Sequence, residues 1–281
     1  MGPLVLALSS AVAYGVSDFF GGLASRRAAA LRVLVVSYPI SAVLMTLVAL
    51  GVGGTSPLEP LLWGAAAGIA MAVAAWTFFL ALAVGPVSII SPITALLGSA
   101  IPLVVGLALG EKPHVTSLSG VGLALVAVVL VSLSPHADTA ATRPFTRTVA
   151  AWTFTAGLAF ALSYVFTSRI PESAGLMPLV SARWTATLFI LAIAASRNDL
   201  HLPPRGRALS FAVTVGVLDA VAHFTMLLAL QQSLLSIGSV VISLFPAVTV
   251  LLAVLLLGER LTRVQTLGMG LAGAAIVLIG M

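Results

Sequence analysis

The sequence predicts an all-α integral membrane protein, with ten transmembrane helices laid out as two five-helix inverted repeats. Three observations carry that expectation. Of 281 residues, 60% are hydrophobic and only 7% are charged. The apolar residues fall into ten runs long enough to cross a bilayer. The second half of the chain echoes the first at an offset near 148 residues.

A soluble domain carries roughly 25% charged residues, because its surface must be hydrated. Here 13 Lys plus Arg and 8 Asp plus Glu fall far short of that, and the mean hydropathy of +1.18 agrees. Ten spans of about 20 residues consume about 200 residues. What is left makes short loops and bare ends, with no room for a water-exposed domain. The chain has no cysteine, which excludes disulfides, thiolate nucleophiles and Cys-built metal centres. The net charge is +5 and the isoelectric point about 10.7. The basic residues sit singly or in pairs between apolar runs, without aromatic interleaving. Anionic lipid headgroups are therefore the expected partners, and nucleic acid is not. Arginine far outnumbers lysine and Ala, Gly and Val are abundant, a composition that hints at a GC-rich bacterial genome; with the apolar runs, the expected location is a bacterial cell membrane.

The ten runs are 3–24, 33–51, 61–84, 88–109, 115–133, 149–168, 176–195, 208–230, 235–257 and 264–280. The first opens with MGPLVLALSSAVA, whose Ala-Val-Ala could pass for a signal-peptidase site. No positive charge precedes it and the apolar run continues to Ala24, so a first membrane helix is the expectation. The breaks between runs are polar or helix-breaking: Ser25-Arg26-Arg27, Gly53-Gly54 with Pro57 and Pro60, Gly85-Pro86, and Gly110-Glu111-Lys112-Pro113. The longest, 134–148, is the midpoint.

Residues 107–133 match 255–280, so that Gly110-Glu111-Lys112 falls on Gly258-Glu259-Arg260 and Gly120 falls on Gly268. The third and eighth runs align at the same offset, placing Met71 on Asp219 and Ala75 on His223. An offset of 145 places Tyr38 on Arg183, and one of 146 places Asp18 on Tyr164. The domains expected are a first repeat at 1–133, a polar linker at 134–146 and a second repeat at 147–281. Five spans is an odd number, so the second repeat must cross in the opposite sense. One set of loops carries Arg26, Arg27, Arg32, Arg143, Arg147, Arg197, Arg205, Arg207, Arg260 and Arg263; the other carries only Lys112 and Arg169. The positive-inside rule then makes the first set cytoplasmic and puts both termini outside.

Pro39, Pro92, Pro102 and Pro246 fall inside runs, where each removes a backbone hydrogen bond. Proline is also common in membrane helices; Pro246 is weighed as pathway-lining against that background. Gly64, Gly68 and Ala72 on the third run, Gly120 and Ala124 on the fifth, and Gly268 and Ala272 on the tenth are spaced for close helix packing, with a dimer contact as the lesser reading.

The repeated ending, Gly110-Glu111-Lys112…Gly120 and Pro246…Leu257-Gly258-Glu259-Arg260-Leu261…Gln265…Gly268, resembles that of the EamA-type transporters of the drug/metabolite transporter superfamily. With the ten-run plan and the opening Gly15-Val16-Ser17-Asp18-Phe19, the resemblance covers essentially the whole chain. It implies an inverted-repeat transporter of small solutes, often an exporter, and leaves the solute open among amino acids, nucleosides, sugars and drugs. The chain departs from the pattern at Gly98 where the second half has Pro246, and at Tyr38 where it has Arg183. The resemblance also implies cytoplasmic termini, against the loop charges.

An ionised group at the centre of a membrane helix costs about 2.5–3.5 kcal/mol on insertion scales, so deep charges mark the site. Asp219 is central in the eighth run, His223 follows one turn later on the same face, Arg183 is near the centre of the seventh, and Asp18 lies deep in the first. Consecutive runs seven and eight are expected to pack together, bringing Arg183 to Asp219. That pair is either structural or a cavity lining in which Arg183 holds a substrate anion and Asp219 takes Arg183 back on release. Asp219 with His223 is a candidate protonation pair. Asp18 is either a proton or substrate contact, as the resemblance to distant small multidrug carriers with an acid in their first helix implies, or a helix-end carboxylate reaching water. Glu111 and Glu259 end helices, where a carboxylate opposes the dipole; each is expected to serve another element. Tyr14, Tyr38, Trp76, Tyr164, Trp184 and Phe224 are candidates to stack on a substrate.

No HExxH, GxxxxGK[ST] or Gly-x-Ser-x-Gly motif occurs, and no metal, cofactor or catalytic set is expected. The expected partners are a small-molecule solute, the bilayer and, for coupling, protons; the chain is expected as a monomer or homodimer. The competing functions are a membrane-embedded enzyme acting on a lipid head group, which would gather acid, base or metal residues at one leaflet, and a channel, which would show rings of like charge.

Overall fold

The structure, a computed structural model, describes residues 2–52, 57–133, 144–258 and 260–281. Among them it is helical throughout. The helices are α1 (Gly2–Ser25), α2 (Ala30–Val52), α3 (Leu58–Val84), α4 (Val87–Ala108), α5 (Val115–Ser132), α6 (Arg147–Ser168), α7 (Met177–Ser196), α8 (Arg207–Gln232), α9 (Leu235–Ile242), α10 (Phe245–Leu257) and α11 (Arg263–Gly280), with a short 3₁₀ turn at Glu172–Ala174. They make 10 spans long and apolar enough to cross a membrane. Residues 134–143 of the expected linker lie outside the described residues, as does Glu259.

One span departs from expectation. The ninth run, 235–257, is not a single helix but two half-helices, α9 and α10, joined at Ser243 and Leu244. Pro246 is the cause: it has no N–H to give to Ile242, so it opens α10 in its first turn, where proline is at home. Thr249 Oγ1 donates to Gly15 O at 3.0 Å and ties the restarted helix to α1. Pro39, Pro92 and Pro102, by contrast, sit inside continuous helices.

The helices pack across the two halves more than within them. α1 lies along α8, and its repeat mate α6 lies along α3; α2 contacts α8, as α7 contacts α3; α1 meets α9 and α10, as α6 meets α4. Mates also pack on each other in opposite directions. Leu31 and Leu34 at the start of α2 cluster with Ile190 and Ala194 at the end of α7. Gly120 near the start of α5 faces Ala275 and Ile279 near the end of α11, and Gly268 faces Leu130 and Val131.

Two glycines make the crossings possible. A methyl group on Gly216 of α8 would lie 2.7 Å from Ser37 O of α2, and one on Gly68 of α3 would strike Ala182 O of α7. Gly68 and Gly216 correspond in the repeat, and so do Ser37 and Ala182. The same backbone-to-backbone approach is therefore built twice. In lipid, where water supplies no drive for helix association, such close contact is a main source of cohesion.

Two ends can be told apart. At one, Arg32 Nε donates to Asp199 Oδ1 at 2.7 Å, Arg27 lies over the Phe211 ring, and Arg197 lies 4.7 Å from the centre of the Trp76 ring. At the other, Trp63 stacks on Phe166, and Gln231 Nε2 donates to Ile170 O and Pro171 O. The first is the basic end.

Candidate functional site

Arg183 and Asp219 meet as expected, with Arg183 Nη1 donating to Asp219 Oδ2 at 2.8 Å. The expected route to that contact is corrected: α7 and α8 scarcely touch, and each instead packs on α2. The close approach at Gly216 leaves no room for α7 beside α8, so Arg183 reaches Asp219 past Tyr38 of α2, whose ring centre is 5.7 Å from the guanidinium.

His223 completes the group. Its Nδ1 lies 2.9 Å from Asp219 O and 3.3 Å from Asp219 Oδ1. Both neighbours of Nδ1 are acceptors, so Nδ1 carries the proton and donates. One carboxylate thus faces a guanidinium through one oxygen and an imidazole through the other. Arg183 and His223 are buried, while Asp219 is 16% exposed. Ser41 of α2 is fully buried, and its hydroxyl has no hydrogen-bond partner among the described residues. Isolated charges in lipid are untenable, and a pair supplied with hydrogen bonds is the form in which they survive.

Tyr14 packs edge-on against His223 with ring centres 5.1 Å apart, and its hydroxyl points to Met226 Sδ at 3.5 Å. Its ring also tilts against Phe245 of the restarted α10. Tyr164 is buried against Ala7 and Met226. Asp18 follows Ala7, Ala11 and Tyr14 on one face of α1, at helical spacing. That is the face turned into the bundle, and Asp219 and Tyr164 both feel the Asp18 charge. Yet Asp18 is exposed, where Ala7 and Ala11 are buried. Among the described residues no cation lies within ion-pair distance of Asp18.

The remaining candidates are not brought together with this group. Trp184 faces outward, 39% exposed, its indole N–H donating to Thr46 Oγ1 at 3.0 Å. Trp76 lies at the basic end under Arg197. Phe224 packs on a separate cluster with Met45, Leu179 and Leu227. Pro246 is half-buried at the α10 start, beside Phe245. Glu111 serves another helix: its carboxylate accepts from Leu235 N at 2.7 Å and Ser236 N at 2.9 Å, capping α9. Gly120 and Gly268 pack α5 on α11. Sequence reasoning missed Ser37, Ser41, Ser163, Thr167 and Ser243, which are all buried. Their signal was present as small hydroxyls near the predicted ionisable and aromatic positions on the same faces.

On the far side of Arg183 and His223 lies a small enclosed cavity with room for about one water molecule. Among the described residues no group of three or more His, Cys, Asp or Glu could hold a metal.

A family model, described as the EamA-like transporter family, matches residues 147–281. Residues 147–281 belong to the EamA-like transporter family, within the drug/metabolite transporter superfamily. The EamA-like segment contributes Arg183, Asp219, His223 and Tyr164, the greater part of the charged group. A solved structure, titled only as the crystal structure of a protein, resembles the whole chain: the TM-score is 0.70 and the identity 15%, over 96% of this chain and 95% of that one. At that identity the likeness speaks for the fold. No curated protein matches the chain in sequence. EamA members are membrane transporters, and a multi-pass membrane transporter of the drug/metabolite type, acting on a small-molecule solute, is what family and spans together describe.

Proposed function

We propose that this chain is a secondary transporter that moves a small, anion-bearing metabolite such as an amino-acid-like solute by alternating access, with the Arg183–Asp219–His223 group at its central site. The observation that carries the reading is the buried guanidinium of Arg183, paired with a carboxylate that keeps part of its own surface exposed. A solute carboxylate entering past Asp18 competes with Asp219 for the Arg183 fork. Asp219 reclaims Arg183 when the solute leaves, so the charge is never stranded.

The two repeats, 1–133 and 147–281, rock against each other about this site. The basic end is cytoplasmic by the positive-inside rule, in the cell membrane of a bacterium. The direction is export, with solute loaded from the cytoplasmic side. Asp18, exposed without a cationic partner among the described residues, carries the coupling proton.

The test is uptake and release of labelled solutes in proteoliposomes, with and without a pH gradient. Transport of carboxylate-bearing solutes that is lost in Asp219→Asn and Arg183→Ala supports the reading. Undiminished flux in both variants overturns it.

A further inference from the structure

The cavity behind Arg183 and His223 is lined by Ala67 and Met71 of α3, Ser163 and Thr167 of α6, Ile170, Leu179 and Ala182, and Met226 of α8. It is sealed, since Ser163, Thr167, Arg183 and His223 are all buried. Its wall is largely apolar, and two buried nitrogens interrupt it. Arg183 Nε and His223 Nε2, the ring and guanidinium nitrogens not committed to Asp219, have no hydrogen-bond partner among the described residues. Two buried, unpaired polar atoms beside one cavity are expensive in a wall that only packs.

The repeat gives this cavity a counterpart. Ser163 corresponds to Ser17, Ala182 to Ser37, Arg183 to Tyr38 and Met71 to Asp219. Of these, Ser17 adjoins the exposed Asp18, and Tyr38 and Asp219 stand beside Arg183. The first-half position Asp18 is exposed, while its second-half counterpart Tyr164, with Ser163 beside it, is buried. The two halves also point to opposite ends: Asp18 lies toward the C-terminus of α1, Thr167 at the C-terminus of α6, and the sixth span runs against the first.

We propose that this sealed cavity is the solute passage of the opposite-facing state, leading past Ser163 and Thr167 to the end opposite the basic one. The inference rests on the transporter reading above. The seal is the turn between α6 and α7. Ile170, Ala174 and Leu176 in this turn pack against Met45 and Ala49 at the end of α2. Gln231 at the end of α8 latches the turn by donating to Ile170 O at 3.3 Å and Pro171 O at 3.2 Å. When the turn swings off α2 and α8, Arg183 Nε and His223 Nε2 face water or the departing solute.

The absence of native cysteine allows a direct test. Thr167→Cys and Ser163→Cys, each nearly isosteric, are reconstituted in sealed vesicles of known orientation and treated with a membrane-impermeant maleimide. Gly22→Cys, on the exposed interior face of α1 with open space around it, reports the basic end. The expected result is fast modification of Gly22→Cys from the basic end. Thr167→Cys and Ser163→Cys react only from the other face, slowly, and several-fold faster when Gln231→Ala removes the latch. Both sites unreactive from that face even with Gln231→Ala, or reactive only from the basic end, overturns the passage. Solute flux in the same vesicles separates the two readings. Inert cysteines beside a flux that Asp219→Asn abolishes sink the passage and leave transport standing. Modified cysteines with no solute flux in the native chain sink the transport reading.

Discussion

Asp219 divides its carboxylate between two partners, Oδ2 at 2.8 Å from Arg183 Nη1 and Oδ1 at 3.3 Å from His223 Nδ1. Arg183 is anchored on α7 and Asp219 on α8, helices that barely meet, so the ion pair bridges what packing does not. Breaking a buried pair from one side strands the other charge, at about 3–5 kcal/mol. Asp219→Asn, which keeps shape and one acceptor, is expected to retain the fold and lose at least tenfold in flux. Arg183→Met with Asp219→Leu is expected to regain thermal stability in detergent relative to Arg183→Met alone, yet to remain inactive. Paired melting and flux measurements check both.

Asp18 presents the reverse case, since it is exposed on an inward-turned face. Asp18→Asn removes a charge that no ion pair among the described residues depends on. The melting temperature is expected to stay within about 1 °C, in keeping with changes under 0.5 kcal/mol at sites without partners. Flux driven by a pH gradient is expected to collapse. Proteoliposome assays at matched protein content read the outcome, and a gradient-driven rate equal to that of the native chain would refute the proton role.

Glu111 caps α9 with two backbone N–H bonds from Leu235 and Ser236. Glu111→Gln leaves one acceptor and no charge, while Glu111→Ala leaves none. Cap losses run to about 0.5–2 kcal/mol, and charge-assisted bonds sit at the upper part of such ranges. The order of melting temperatures should be native above Gln above Ala. Equal values would show that the cap contributes nothing.

Gly216 approaches Ser37 O as Gly68 approaches Ala182 O. Gly216→Val and Gly68→Val are each expected to force the helices apart and lower stability by about 1–3 kcal/mol, the range for overpacking a fitted interface. Gly122, with open space around the added carbon, serves as the control and should tolerate alanine without loss of folded yield.

Inversion has its own test. Tags in the loops at 52–60 and 196–207 should report from opposite faces of the membrane, because an odd number of spans separates them. Readings from one face would remove the symmetry on which the central site depends.

The sequence alone determined the number of spans, their approximate limits and the deep charges, because lipid imposes its length and polarity directly on composition. It also named the Arg183–Asp219 pair, though by direct packing of the seventh and eighth spans, a route the structure corrects. Only the tertiary structure decided the rest. The break at Ser243 and Leu244 looked like part of one apolar run, because hydropathy counts side chains and is blind to the N–H that Pro246 lacks. That Trp184 faces outward while its neighbour Arg183 faces inward follows from how α7 is rotated, and packing against α2 and α3 sets that rotation. The exposure of Asp18 and the seal at Thr167 come from the relation between the two halves. A repeat written twice in a chain cannot say which copy stands exposed; the packing of the turn at Ile170 against α2 and α8 does.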